Sequence, residues 1–121
     1  MIVLFTDGDD NSSALTTDVA VRRAKAAGIP VYTVAQGSAL TNSMLVDQLS
    51  AVSKATGGQA FVIHDPQEIK GIFEKISADL SHGYLLVFQP ESTDDPSWRT
   101  IEVELQGVKG GKVRTRKGYY P

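Results

Sequence analysis

The chain opens with four apolar residues, Ile2-Val3-Leu4-Phe5, and passes at once into the polar turn Thr6-Asp7-Gly8-Asp9-Asp10-Asn11. An unbroken apolar run of this length is the pattern of a strand covered on both faces, as in parallel sheets, whose carboxyl ends carry ligand sites. Asp7 is therefore expected at a working edge. Apolar runs recur at Val31 to Ala35, which Pro30 opens, and at Ala60 to Ile63 behind Gly57-Gly58.

Helical patterns separate these runs. The first is expected from Thr16 or Thr17 to Ala27, with Asp18 early, Arg22, Arg23 and Lys25 later, and Gly28 as the stop. Asn42 is placed to cap a second helix in which Leu45, Leu49 and Val52 recur at helical spacing. The third has the fullest signature: Asp65 as cap, Pro66 in the first position, Glu68 three residues after the cap, and Ile69, Ile72, Phe73, Ile76 and Leu80 on one stripe. Strands alternating with helices predict an α/β fold, a partial Rossmann-like sheet of three parallel strands with three helices over residues 1–83.

From Tyr84 the period changes from helical to alternating. Arg99, Ile101, Val103 and Leu105 alternate with Thr100, Glu102 and Glu104, which predicts a strand with one buried face. Tyr84 to Gln89 reads as another strand, Gly107 to Gly111 as a turn and Lys112 to Arg116 as the last strand. Residues 84–121 are thus expected to form an antiparallel three-strand meander extending the same single domain. In it, Lys112, Arg114 and Arg116 would lie opposite Glu102 and Glu104, each such pair contributing about 0.2–1 kcal/mol.

Composition narrows the function. At 121 residues one domain is expected, able to bury a core, and 41 % hydrophobic with 21 % charged residues is an ordinary globular balance. A net charge of −2 opposes general nucleic-acid binding, and the absence of cysteine excludes disulfides, thiolate metal sites and cysteine nucleophiles. No run is long enough to span a membrane. Met1 is followed directly by fold sequence, so no signal peptide is read and the chain as written is expected to be cytoplasmic, the compartment of a longer parent being open.

Thr6-Asp7-Gly8 after a hydrophobic strand, Val31-Tyr32-Thr33-Val34-Ala35, and Ala60-Phe61-Val62-Ile63 behind two glycines resemble the carboxy-terminal half of a von Willebrand factor type A (VWA) domain. Tyr84-Leu85-Leu86, Trp98 to Val103 and the tail from Lys112 to Tyr120 are similar to a bacterial VWFA-related group. The resemblance implies a protein-interaction module without enzymatic activity. It also implies a metal-ion-dependent adhesion site, in which a partner's acidic residue completes the coordination of Mg²⁺ or Mn²⁺. Of the family's ligands, an Asp-x-Ser-x-Ser loop, a threonine and the Asp of Thr-Asp-Gly, only Asp7 is expected here. Asp10-Asn11-Ser12-Ser13-Ala14 has alanine at the second serine position and follows the wrong strand. The chain thus reads as a truncated VWA-like domain with an incomplete metal site. Asp7 is the candidate ligand and Asp9 a secondary one, the alternative being that both carboxylates cap amides of their own turn while Gly8 supplies a sharp bend.

Other chemistries fit less of the sequence. A calcium loop would use Asp7, Asp9, Asn11 and Asp18, but Ser12 stands where the loop requires glycine, and a strand precedes it. A haloacid-dehalogenase-type phosphotransferase would use Asp7 as nucleophile and Asp9 as acid/base with Mg²⁺. Asn11 breaks that motif, and Lys54 and Asp65 are the available charge partners. A stable remnant without ligand is the third reading. His64 is expected near the Asp7 edge and His82 in the last turn of the third helix, as a partner of its dipole.

The strand Ile2 to Thr6 carries a further expectation. With no front-half neighbour it presents an edge lacking proline or lysine protection. Either the carboxy-terminal meander folds back on it, or two chains meet there and continue the sheet across a two-fold axis. A homodimer is the favoured outcome.

Overall fold

The computed structural model describes residues 1–8, 17–91 and 94–121 of the chain. Asp9, the Asp10 to Ala14 segment and Thr16 lie outside the described residues. The element order is β1 (Ile2–Thr6), α1 (Thr17–Ala27), β2 (Val31–Ala35), a 3-10 turn (Gly37–Thr41), α2 (Ser43–Thr56), β3 (Ala60–Val62), α3 (Glu68–Ser81), β4 (Arg99–Thr100) and β5 (Gly118–Tyr119). The first three strands form a parallel sheet in the order β1-β2-β3, with Ile2 level with Val31 and Thr33 level with Ala60. The α/β part is therefore as expected.

Local chemistry sets the helix ends. Gly28, with φ of 63°, ends α1, and its N–H donates to the Lys25 carbonyl at 3.1 Å. The Asn42 side chain accepts from the Leu45 N–H at 3.1 Å at the start of α2, and Gly57 closes that helix in the left-handed region at φ of 84°. Asp65 and Glu68 form a reciprocal capping pair: the Asp65 carboxylate accepts from the Gln67 N–H at 2.8 Å, and Glu68 Oε1 accepts from the Asp65 N–H at 3.2 Å. Pro66 and Gln67 form a turn and α3 proper begins at Glu68.

β2 is the axis of the core, with all five residues buried. On one face Tyr32 and Val34 join Ile63, Ile72 and Ile76 beneath α3, with Val3, Phe61 and Ile69 partly buried against them. On the other, the buried Thr33 hydroxyl meets the Ser53 hydroxyl at 3.0 Å, and Thr56 Oγ1 accepts from the Val31 N–H at 3.0 Å. Such buried bonds add about 1 kcal/mol each when made, and cost more than that when only one partner is removed. Gly58 lets α2 turn back against β2, since a Cβ there would fall 2.0 Å from the Val31 carbonyl oxygen.

Two expectations are corrected. β1 is not covered on both faces: Ile2, Leu4 and Phe5 are exposed, because β1 is an edge strand among the described residues and α2 and α3 pack on β2. The carboxy-terminal part is not a three-strand meander. Two antiparallel strands of two residues each, β4 and β5, pair Arg99 with Tyr119 and Thr100 with Gly118, while residues 84–91 have no regular structure. Leu105 is exposed, and Arg114 turns away from Glu102 and Glu104 to Asp79 of α3 and Gln59 before β3. The tail is held as an arm against the amino-terminal end of the sheet, where Lys25 of α1 lies 5.2 Å over the Trp98 ring and Trp98 meets Tyr120 edge to face at 4.9 Å. Gly107 and Gly110 do turn the chain, with φ of 75° and 76°.

Candidate functional site

β1 delivers Asp7 to the carboxyl edge of the sheet. The strand is tied at this end by the Gln36 N–H, which donates to the Thr6 carbonyl at 3.0 Å. The Asp7 carbonyl accepts from the Ala39 N–H at 2.8 Å and from the Ser38 hydroxyl, so the 3-10 turn after β2 fixes the Asp7 backbone. That turn was not legible as an element. Its signal was Gly37, whose φ of 57° lets the chain bend over Asp7.

The Thr6 side chain closes the Thr-Asp-Gly turn on itself. Its hydroxyl donates to the Gly8 carbonyl at 2.7 Å and accepts from the Gly8 N–H at 3.3 Å. Among the described residues Thr6 caps the Gly8 amide of this turn, and the exposed Asp7 carboxylate has no hydrogen bond or ion pair with any of them. Gly8 does not adopt positive φ, so the left-handed bend lies at Gly37.

Asp7, Gln36, Gly37, Ile63, His64, Asp65 and Pro66 line one open depression of about 330 Å³. His64 therefore does share the Asp7 edge. Asp65 also faces the depression, but one of its carboxylate oxygens is engaged by the Gln67 N–H. Mg²⁺ takes about six oxygens in a near-octahedral set at ~2.1 Å. Against that demand the described residues offer Asp7, a Thr6 hydroxyl committed to Gly8 and a capping Asp65, and among them no three acidic or histidine side chains converge. They do not by themselves build a metal centre.

Of the residues a phosphotransferase would use, Asp65 shares the Asp7 depression, Asp9 lies outside the described residues, and Lys54 stands apart from Asp7. Lys54 lies in the last turn of α2, next to Gly57-Gly58 and the start of β2, whereas Asp7 lies beyond the other end of that five-residue strand. A strand of that length spans about 16 Å. His82 caps α3, its Nδ1 lying 2.8 Å from the Ala78 carbonyl.

At the opposite end of the sheet the Tyr32 hydroxyl lies 3.4 Å from Asp79, which also pairs with Arg114. Burial, and then the Asp79 carboxylate, push the Tyr32 phenol above its usual pKa, while the Arg114 guanidinium opposes them. These groups hold the arm to the sheet.

Known proteins agree with this architecture. Residues 1–75 match the family model of the von Willebrand factor type A domain. A crystal structure described as an uncharacterized membrane spanning protein from Vibrio fischeri is similar at 25 % identity and a TM-score of 0.56, over 64 % of this chain and 45 % of that one. The chain thus spans less than half the length of that structure's chain. Among the described residues no helix is long and apolar enough to cross a membrane. No curated protein matches. The parallel β1-β2-β3 sheet, the Asp7 turn at its carboxyl edge and a family match across more than half of the sequence place this chain in the von Willebrand factor type A domain family.

Proposed function

We propose that this chain is a protein-interaction module in which divalent metal plays at most a minor part. Membership of the VWA family supports the first half, since such domains are generally non-enzymatic interaction modules. The observation that carries the second is the state of Asp7: a single exposed carboxylate at the sheet's carboxyl edge, without a converging ligand set among the described residues. Affinity for hard cations rises with the number of charged oxygens offered, so Mg²⁺ or Mn²⁺ binds Asp7 weakly.

Melting with and without millimolar Mg²⁺ tests this reading. A site of micromolar Kd would add roughly 4 kcal/mol under those conditions. The expected shift is near zero in both the parent and Asp7→Ala. A large shift in the parent that disappears in Asp7→Ala would show a complete adhesion site.

A further inference from the structure

Charge is divided unevenly along this chain. All 14 acidic residues lie before Leu105, and with seven of the 12 basic ones they give residues 1–104 a charge of −7, histidine being neutral. Residues 105–121 hold the other five cations, Lys109, Lys112, Arg114, Arg116 and Lys117, and no acid, which makes them +5 and the whole chain −2. Such a sign asymmetry between two parts of a chain points to an anionic surface or polymer as partner of the basic part. Two of the five cations are engaged within the fold: Arg114 meets Asp79 and Gln59, and the Arg116 guanidinium lies 5.8 Å over the Tyr119 ring. Lys109, Lys112 and Lys117 are exposed and form no ion pair among the described residues.

Lys109 and Lys112 stand at the reversal between β4 and β5, where Gly107 and Gly110 turn the chain. A Cβ on either glycine would meet nothing within 4 Å, so the turn is open on its outer side. A Cβ on Gly111 would instead fall 2.5 Å from Leu105 Cδ1 and 3.3 Å from Val108 Cγ1, so these two side chains lie over that glycine as one apolar knob. The knob faces water, with Leu105 48 % and Val108 59 % exposed. A nucleic acid backbone would use the lysines and leave the aliphatic knob idle. A lipid surface uses both, because its anionic headgroups attract the cations and the boundary with the acyl chains takes up apolar side chains.

We infer that the turn around Val108 docks on an anionic lipid surface, Leu105 and Val108 entering the headgroup region while Lys109 and Lys112 meet lipid phosphates. The −7 charge of residues 1–104 is repelled by the same surface, so the basic turn leads. Docking is peripheral and asks for no membrane-spanning helix. It is also independent of the Asp7 reading: Arg114 clasps the arm at the end of the sheet opposite Asp7, so a lipid surface and a protein partner at Asp7 would use different ends of the domain.

The test is co-sedimentation of the full chain with vesicles of equal parts phosphatidylcholine and phosphatidylglycerol. Binding is expected there, is lost on phosphatidylcholine alone, and weakens as salt is raised. A lysine near an anionic surface contributes about fivefold in affinity, so Lys109→Ala/Lys112→Ala is expected to bind roughly 30-fold more weakly. The chain has no cysteine, so Val108→Cys accepts a single environment-sensitive fluorophore. Its emission is expected to shift to the blue on the mixed vesicles, while the same label in Met44→Cys, at an exposed position of α2, stays unshifted. Circular dichroism of each variant checks that these exposed positions leave the fold intact.

No binding to the mixed vesicles, or binding that Lys109→Ala/Lys112→Ala leaves unchanged, would overturn the proposal. So would bound protein whose Val108 label does not shift, since the apolar knob would then lie outside the contact. Tighter binding to duplex DNA than to the mixed vesicles at equal salt would overturn it in favour of a nucleic acid.

Discussion

β1 and β2 are two five-residue strands of similar apolar character, paired in parallel along their whole length, and they live in different environments. Every residue of β2 is buried, whereas Ile2, Leu4 and Phe5 of β1 are exposed. The difference lies in what flanks each strand. β2 has a neighbour on both edges, α3 on one face and the Thr33–Ser53 and Val31–Thr56 hydroxyl contacts of α2 on the other. Among the described residues β1 has one strand neighbour, and only Val3, in the core margin, and Thr6 are partly buried, with the exposed Phe5 resting against Phe73, 5.9 Å between centroids. Hydrophobicity of a strand records what it can bury. Position in the sheet decides what it does bury.

The largest effect that would sharpen this contrast is expected beside β2. Ile63→Ala, at a side chain only 2 % exposed, is expected to cost about 2–5 kcal/mol in denaturant unfolding. A loss below 1 kcal/mol would mean the β2 core is not packed as described. Next comes Thr33→Val, which leaves the Ser53 hydroxyl without its β2 partner and should cost about 1–3 kcal/mol.

A pH series on β2 gives a smaller change. Because the Tyr32 pKa is raised in the folded state, its contribution is fully present below the ordinary tyrosine pKa of about 10 and is lost as pH rises through the folded value. Melting temperature is expected to fall in strongly alkaline solution, and Tyr32→Phe should flatten that fall. An unchanged profile in Tyr32→Phe would assign the alkaline loss to other groups. The smallest effect belongs to β1: Leu4→Ala is expected to shift monomer stability by less than about 1 kcal/mol. A loss equal to that of Ile63→Ala would mean that β1 is covered in solution even in the monomer.

What the sequence made legible was local. The Asp65/Glu68 capping pair spans three residues and forms, as does the Asn42 cap on Leu45, because both partners lie on one turn. The three parallel strands were equally readable, since each is an apolar run bounded by glycine, proline or a carboxylate turn. Pairing at a distance was not. The alternation from Arg99 to Leu105 is real, yet only Arg99 and Thr100 find a strand partner, because alternation does not say what lies opposite. Arg114 illustrates the point: a cross-strand glutamate was the nearest acid by pattern, and Asp79 on α3 is the acid it meets. At the site, Asp7 could be placed at the carboxyl edge from the run before it. The Ser38 and Ala39 contacts that hold its backbone come from a turn some thirty residues away, with no periodicity to announce it.

The Arg114 clasp has a consequence for biosynthesis. It joins the carboxy-terminal arm to Asp79, 35 residues earlier in the chain, and to Gln59, 55 residues earlier. At translation rates of about 5–20 residues per second, the arginine is added roughly 2–7 s after its acidic partner. Helix formation takes on the order of microseconds, so α3 can assemble long before the clasp exists. For that interval Asp79 and the Tyr32 phenol face a nascent chain without their cation. The sheet and its crossovers must therefore stand on their own hydrophobic core before the arm arrives. In the finished molecule, the arm would be the first unit released by sub-global opening, with amide exchange there running ahead of β2.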